Sequence, residues 1–295
     1  MTRITVFTLD RNNTSLNQVN LFIIGVNKAG SSWLHYLLDT HPDVYMSKVK
    51  EHNYFGKTYP DNRDEYHKYF PFDKEFRYYG ESTPTYFSSR EIAEEIKEYC
   101  PNAKVLAIVR DPIQRLLSHY YFRKQIGVIP EKADLDEGLE IDPHLLIDSH
   151  YEKTLPVYQE IFGVDNFKVV SLEGGKQDID ALWKEMCEFL GLTLTDLPDS
   201  KLKAENPTGS KAFRGFYRAA VLPIKLKAPG LYKLILQNKL FYWIKTISLA
   251  ILGTANKQDI PNELMLQLKR EFEPTYNYLD SIGFANTYRR NQVNN

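Results

Sequence analysis

The sequence predicts an α/β fold: a single domain built on a central, mostly parallel β-sheet flanked by helices. Three observations predict it. Apolar, β-branched runs alternate with helix-patterned segments over most of the 295 residues, the pattern of parallel strands joined by crossover helices. The run Leu21-Phe22-Ile23-Ile24 empties into the small-residue loop Gly25-Val26-Asn27-Lys28-Ala29-Gly30 and then into a helix opening at Ser31-Ser32. A second apolar run, 104–109, delivers Arg110 and then Asp111-Pro112, an N-cap followed by proline at the first helical position. Ligands of open parallel sheets bind at the carboxyl ends of the strands, so both turns are candidate sites.

The elements follow in order. Residues 1–19 read as an N-terminal extension, with Ile4 to Leu9 suited to a short edge strand, and residues 20–295 as the domain. Leu34, Leu37 and Leu38 give the helix after the loop an i, i+3, i+4 apolar face, ended by His41-Pro42-Asp43. Val44 to Met46 is a short second strand, residues 64–69 suit a helix, and Arg77 to Glu81 a third strand broken by Ser82-Thr83-Pro84. Arg90 to Tyr99 has helical charge patterning and closes at Cys100-Pro101-Asn102. After the strand at 104–109, Ile113, Leu116, Leu117 and Tyr120 carry the apolar face of a further helix. Residues 127–143 form a polar loop region with room for short helices. Tyr151 to Phe162 is helical, Phe167 to Leu172 a parallel-type strand, and Ile179 to Leu190 a helix ended by Gly191.

Composition narrows the function. Lys and Arg number 37 against 38 Asp and Glu, a net charge of −1, so no global field recruits nucleic acid or an acidic membrane. Any anion site is a local arrangement. Cys100 and Cys187 lie far apart without metal-type spacing, which fits buried reduced thiols and a cytoplasmic protein. The N-terminus lacks the apolar core of a secretory signal. The stretch 231–253 is rich in Leu, Ile, Tyr and Trp, but Lys233, Lys239 and Lys245 interrupt it, so a buried or subunit-packing helix is expected there and no membrane span. A homo-oligomer is compatible with that segment.

The chemistry starts at the loop. Gly25 and Gly30 free backbone N–H groups to turn inward, Lys28 adds a cation, and the helix N-terminus beyond favours an anion. A nucleotide-hydrolysing loop reads G-x-x-x-x-G-K-[ST], with the Lys on the β/γ-phosphates and the hydroxyl on Mg²⁺. Here the order is G-x-x-K-x-G-S-S, with the Lys ahead of the second Gly, and the other strand ends in Arg-Asp-Pro. Taken alone, the loop is also compatible with a tightly packed strand-to-helix turn. Arg110, with its planar donor fork, and Ser118, a short hydroxyl, form a second anion site, and two sites on one sheet point to a ligand with two separated phosphates. A nucleotide kinase or NTPase with a degenerate loop and an inactive nucleotide-binding protein are the alternatives.

Four motifs in this order resemble the sulfotransferases that use 3′-phosphoadenosine 5′-phosphosulfate (PAPS). They are the loop from Gly25 to Leu34, the segment Lys50-Glu51-His52-Asn53-Tyr54-Phe55, the segment Glu81-Ser82-Thr83-Pro84-Thr85-Tyr86-Phe87, and Val109-Arg110-Asp111-Pro112 through Ser118-His119-Tyr120. The second and third are similar to the branch that includes bacterial and heparan sulfate enzymes. The resemblance implies a P-loop-NTPase-like sulfotransferase fold and in-line transfer of a sulfuryl group to a hydroxyl or amine of a small molecule or saccharide. It implies that Lys28 binds the 5′-phosphosulfate and stabilises the leaving phosphate oxygen, with Asn27, Ala29, Gly30, Ser31, Ser32 and Trp33 around the same group. Arg110 and Ser118 would hold the 3′-phosphate of PAPS and of its product PAP. The late stretch 206–215 resembles a cofactor-closing loop, with Lys211, Arg214 and Gly215 as its contacts. Glu51 stands where this branch places its general base, with His52 as the rival and His119 a packing or capping residue. No metal ligand is expected.

Overall fold

Five strands form one sheet in the order β2-β3-β1-β4-β5, every neighbouring pair parallel. They are β1 (Leu21–Gly25), β2 (Val44–Met46), β3 (Tyr78–Ser82), β4 (Lys104–Val109) and β5 (Phe167–Ser171). The computed structural model describes residues 18–197, 215–228 and 261–288. The expected edge strand at 4–9 and the apolar stretch 231–253 lie outside the described residues.

Alternation along the central strands sends side chains to two cores. Phe22, Ile24, Val105, Ala107 and Val109 enter one, with Tyr54, Phe55, Tyr86, Tyr99, Tyr151 and Tyr158. Leu21, Ile23, Leu106 and Ile108 enter the other, with Trp33, Leu34, Leu37, Trp183 and Met186. A strand whose both faces are covered reads as a continuous apolar run, which is why β1 and β4 stand out in the sequence. The second core is closed by α1 (Ser31–Leu38) and by the helix Ile179–Leu190. Over the first lie α2 (Arg63–His67), α3 (Arg90–Tyr99), α4 (Pro112–Gln125), the helix Tyr151–Phe162 and the late helix Glu273–Leu279.

Most expected elements appear within a residue or two of their predicted ends, and the departures have local causes. β3 runs one residue later than expected, and Pro84 then starts a 3₁₀ turn, Pro84–Ser88. In the polar region 127–143, a helix forms over Leu135–Ile141 because Asp134 and Glu137 build a reciprocal capping box. The fifth strand stops at Ser171, whose hydroxyl accepts from Gly174 N and starts the helix Leu172–Gln177 through two glycines. Cys100 and Cys187 are free and buried, as expected. Among the described residues no helix is long and apolar enough to cross a membrane.

Candidate functional site

The loop between β1 and α1 is shaped by left-handed backbone. Gly25 and Gly30 have φ of 146° and 104°, and Lys28 between them has φ of 68°. Side chains are excluded at both glycines: a Cβ on Gly25 would lie 2.9 Å from Pro84 O, and one on Gly30 2.7 Å from Leu172 Cδ1. Val26 N donates to Ile108 O (2.9 Å) and Ala29 N to Val26 O (3.1 Å), which ties the loop to β4 and to itself. Gly30 caps α1 without a side chain, so Ser31, Ser32 and Trp33 present the free N–H groups of its first turn. Lys28 Nζ lies 4.5 Å above the Phe122 ring of α4.

Two arginines from the β4–α4 turn and α4 hold the back of this loop. Arg110 Nη1 donates to Lys28 O (3.3 Å) and Arg115 Nη1 to Asn27 O (3.5 Å). Arg110 Nε stands 3.9 Å from Glu173, whose carboxylate also accepts from Asp111 N at 3.2 Å. Burial pushes the Glu173 carboxyl up, opposed by the bond from Asp111 N. Asp111 caps α4 through Gln114 N (2.8 Å) and accepts from Tyr276 Oη (2.9 Å). Arg115 is wholly buried and donates to Ser149 Oγ (2.6 Å), His144 O (3.4 Å) and Leu145 O, with Asp148 at 3.9 Å. Burial lowers its pKa; the nearby Tyr151, Asp148 and Asp142 act in the other direction.

A second turn comes to the same edge of the sheet from β2. Glu51 and Asn53 are both left-handed, with φ of 61° and 52°. Glu51 N donates to Ser82 O at the end of β3 (3.0 Å), and its side chain is exposed. Asn53 Nδ2 donates to Glu51 O (2.6 Å) while Asn53 Oδ1 accepts from Thr85 Oγ1 (2.9 Å). Lys50 reaches across and donates to Ser32 Oγ at 2.5 Å, joining this turn to the loop. Burial brings the Lys50 ammonium down to about 8, with Glu51 raising it and Lys28 lowering it further. Lys28 and Lys50 are thus like charges within electrostatic reach, an arrangement that an anion between them relieves.

Among the residues singled out from sequence, the structure brings Asn27, Lys28, Ala29, Gly30, Ser31 and Ser32 together with Arg110, and brings Glu51 beside them. Trp33 is only 7% exposed and its side chain fills the second core, so what it offers a ligand is backbone. Ala29 is likewise wholly buried. Ser118 lies half-buried on α4, two turns beyond Asp111. Gly215 is exposed at the start of a helical stretch, and Lys211 and Arg214 lie outside the described residues. His52 Nε2 is 2.8 Å from Ser47 Oγ, and its ring packs on Tyr69 with centroids 4.7 Å apart. His119 is buried and accepts from Arg115 (3.3 Å); burial brings it down to about 2, assisted by Arg115, so its ring is neutral packing, as expected.

Sequence reasoning missed Arg115, and it placed Glu81 and Tyr86 in a motif without giving either a role. The signal for Arg115 was present, since it shares with Pro112 and His119 the i, i+3, i+4 stripe that α4 buries. Glu81 is wholly buried and accepts from Tyr66 Oη (2.6 Å), Thr83 Oγ1 (2.7 Å) and Tyr86 Oη (3.3 Å). Burial raises its carboxyl to about 7 in spite of these three donors.

The chain is similar to a "membrane-associated sulfotransferase kil1" of Dictyostelium discoideum, 33% identical over 109 residues, which are 36% of this chain and 23% of that protein. It is also similar to mouse heparan sulfate glucosamine 3-O-sulfotransferase 3A1, 34% identical over 112 residues, 38% of this chain and 28% of the relative. These matches therefore span about a quarter of the relatives' lengths. With mouse heparan sulfate glucosamine 3-O-sulfotransferase 5 the match is longer, 28% identical over 184 residues, 54% of this chain and 52% of the other. Among solved structures, a sulfotransferase from Alicyclobacillus acidocaldarius superposes with a TM-score of 0.55 at 25% identity, covering 64% of this chain and 87% of that one. The model of the sulfotransferase domain family matches residues 18–211, from just before β1 to beyond the helix Ile179–Leu190, and the chain belongs to that family.

Proposed function

We propose that this chain transfers the sulfuryl group of PAPS to a hydroxyl or amine, with Glu51 as general base. The observation that carries the proposal is the bond from Lys50 Nζ to Ser32 Oγ, which supports one site shared by the exposed Glu51 carboxylate and the first turn of α1. The donor set fits PAPS. Lys28, Lys50 and the first-turn N–H groups of α1 suit the 5′-phosphosulfate, and Arg110 with Ser118 suits the 3′-phosphate. Lys211, Arg214 and Gly215 complete the proposed contacts from the late loop.

PAPS supplies an electrophilic sulfuryl group bonded to a phosphate that can leave. Glu51 takes the proton of the acceptor as its oxygen or nitrogen attacks in line, and the two lysines oppose the negative charge that grows on the leaving side. Two observations favour Glu51 over His52. The histidine ring is bonded to Ser47 and packed edge-on or tilted against Tyr66, Tyr69 and Phe70, whereas the Glu51 side chain is exposed. Asp111 is engaged as a helix cap and by Tyr276, which weighs against an NTPase in which it would hold a metal. The relatives named for glucosamine make a saccharide the first acceptor class to try, beside small phenols and amines.

The test is transfer of label from ³⁵S-labelled PAPS to a panel of glucosamine, chitobiose, a heparosan tetrasaccharide and 4-nitrophenol. Glu51→Gln is expected to lose about 10²- to 10⁴-fold in turnover while binding PAP as before. Undiminished turnover would move the base role elsewhere; absence of PAP binding to the wild type would sink the whole reading.

A further inference from the structure

Three hydroxyls meet one buried carboxylate behind the Glu51 turn, and one of them touches the turn itself. Tyr86 Oη accepts from Tyr54 N at 2.9 Å and from Phe55 N at 3.3 Å, and donates to Glu81 Oε1 at 3.3 Å. A phenol oxygen has two lone pairs and one proton. With both lone pairs directed at backbone N–H groups, the proton needs an acceptor. Glu81 Oε1 is that acceptor.

The network is rigid on every side. Tyr66 and Thr83 donate to the two oxygens of Glu81 at 2.6 and 2.7 Å, the Tyr66 ring stacks on Tyr54 with centroids 4.3 Å apart, and Tyr158 Oη donates to Tyr86 O at 2.5 Å. The turn is thus anchored at two points: Glu51 N on Ser82 O, and Tyr54 and Phe55 N on Tyr86 Oη. Between the anchors lie the left-handed Glu51 and Asn53, conformations that a free chain of these residues rarely holds. A buried carboxylate among the described residues with hydroxyl donors alone is costly, and the geometry gives that cost a purpose: it aligns the phenol that clamps the turn.

We infer that Tyr86, aligned by Glu81, is the positioning residue that fixes where the Glu51 carboxylate stands against the phosphate loop. The inference rests on the proposed base role of Glu51, and the experiment separates the two.

The variants are Tyr86→Phe, Glu51→Gln, their double, and Tyr66→Phe. Tyr66→Phe removes an equally buried hydroxyl from Glu81 without touching the turn's N–H groups. Turnover is read with ³⁵S-labelled PAPS and whichever of the four panel acceptors the wild type sulfates fastest, and affinity with PAP. Tyr86→Phe is expected to lower kcat about 10- to 100-fold with PAP affinity within about twofold. In the Glu51→Gln background the same change should cost less than about threefold more, because a group with no base to position has nothing left to lose. A crystal structure of Tyr86→Phe with PAP is expected to show Glu51 out of its left-handed conformation and its N–H drawn away from Ser82 O. Multiplicative losses in the double variant, an equal loss from Tyr66→Phe, or an unmoved turn in the crystal would overturn the positioning role alone. Full turnover by Glu51→Gln would overturn both readings.

Discussion

The loop at Gly25–Gly30 and the turn at Glu51–Phe55 sit at the same edge of the sheet, and both depend on left-handed residues, yet they are held differently. In the loop most of the shape is written in the residues themselves, although Lys28 is left-handed without being glycine and its carbonyl is held by Arg110. Glycines stand where a Cβ would meet Pro84 O or Leu172, and the backbone bonds to Val26 and Ile108 are local or come from the adjacent strand. In the turn the left-handed positions are Glu51 and Asn53, which gain nothing from lacking a Cβ, so the conformation is imposed by Ser82, Thr85 and Tyr86 from outside. In the proposed function the loop must leave room for an anion, so its backbone comes close and side chains are excluded. The proposed base keeps its side chain and borrows rigidity from its neighbours.

Removing the buried arginine behind the loop gives the largest expected effect. Arg115→Met removes the buried guanidinium that donates to Asn27 O, His144 O, Leu145 O and Ser149 Oγ and faces Asp148, at a cost of ~3–5 kcal/mol in a urea titration. The loop should also lose PAP affinity, whereas a turn-side variant should not. Gly25→Ala is next, at ~2–3 kcal/mol, since the added methyl meets a backbone carbonyl that cannot yield. If the alanine variant kept wild-type stability, the claim that the loop's shape resides in its glycines would fail.

Acid separates the two regions by their buried histidines. His119 lies behind the loop and is brought down to about 2, burial first and Arg115 second; His35 on α1 is brought down to about 3, burial first and then Lys50 and Lys48 of the turn side. Each is neutral in the fold, while in the unfolded chain it takes up a proton below a pH of roughly 6.5. Through these two groups the unfolded state binds more protons across that window, so their contribution to stability falls as pH falls from about 6.5, while Glu81, raised to about 7, acts in the opposite direction. The slope approaches ~1.4 kcal/mol per pH unit for each histidine. His119→Gln and His35→Gln should each remove one share, measured as the pH dependence of urea midpoints, and an unchanged slope in both would contradict the assignment.

The smallest effect concerns the turn's own residues. Asn53→Ala strains a left-handed position and removes the bonds to Glu51 O and Thr85, for ~1–2 kcal/mol; Asn53→Gly removes only the bonds and should cost less. Equal losses would mean that the side-chain bonds, and not the backbone conformation, carry the turn.

Much of the fold was legible because covered parallel strands make unbroken apolar runs. Leu21–Gly25 and Lys104–Val109 announced themselves, and the small residues after the first and Arg-Asp-Pro after the second marked the carboxyl edge where ligands bind. Glu51 was legible only through its motif. Arg115 was passed over because it lies beside the apolar face of Ile113, Leu116, Leu117 and Tyr120, where a charged residue reads as solvated, although here it is wholly buried.

By itself, then, the sequence determined the parallel sheet and the glycine-framed loop after its first strand, since these follow from periodicity and from the absence of side chains. Only the tertiary structure decided that Lys50 bonds to Ser32, that Arg110 and Arg115 grip the loop's carbonyls, and that Glu81 aligns Tyr86 under the Glu51 turn. These partners lie 18 to 88 positions apart, or, for Glu81 and Tyr86, on either side of a strand end and a 3₁₀ turn, and hydrogen bonds of that kind leave no periodic trace in a chain.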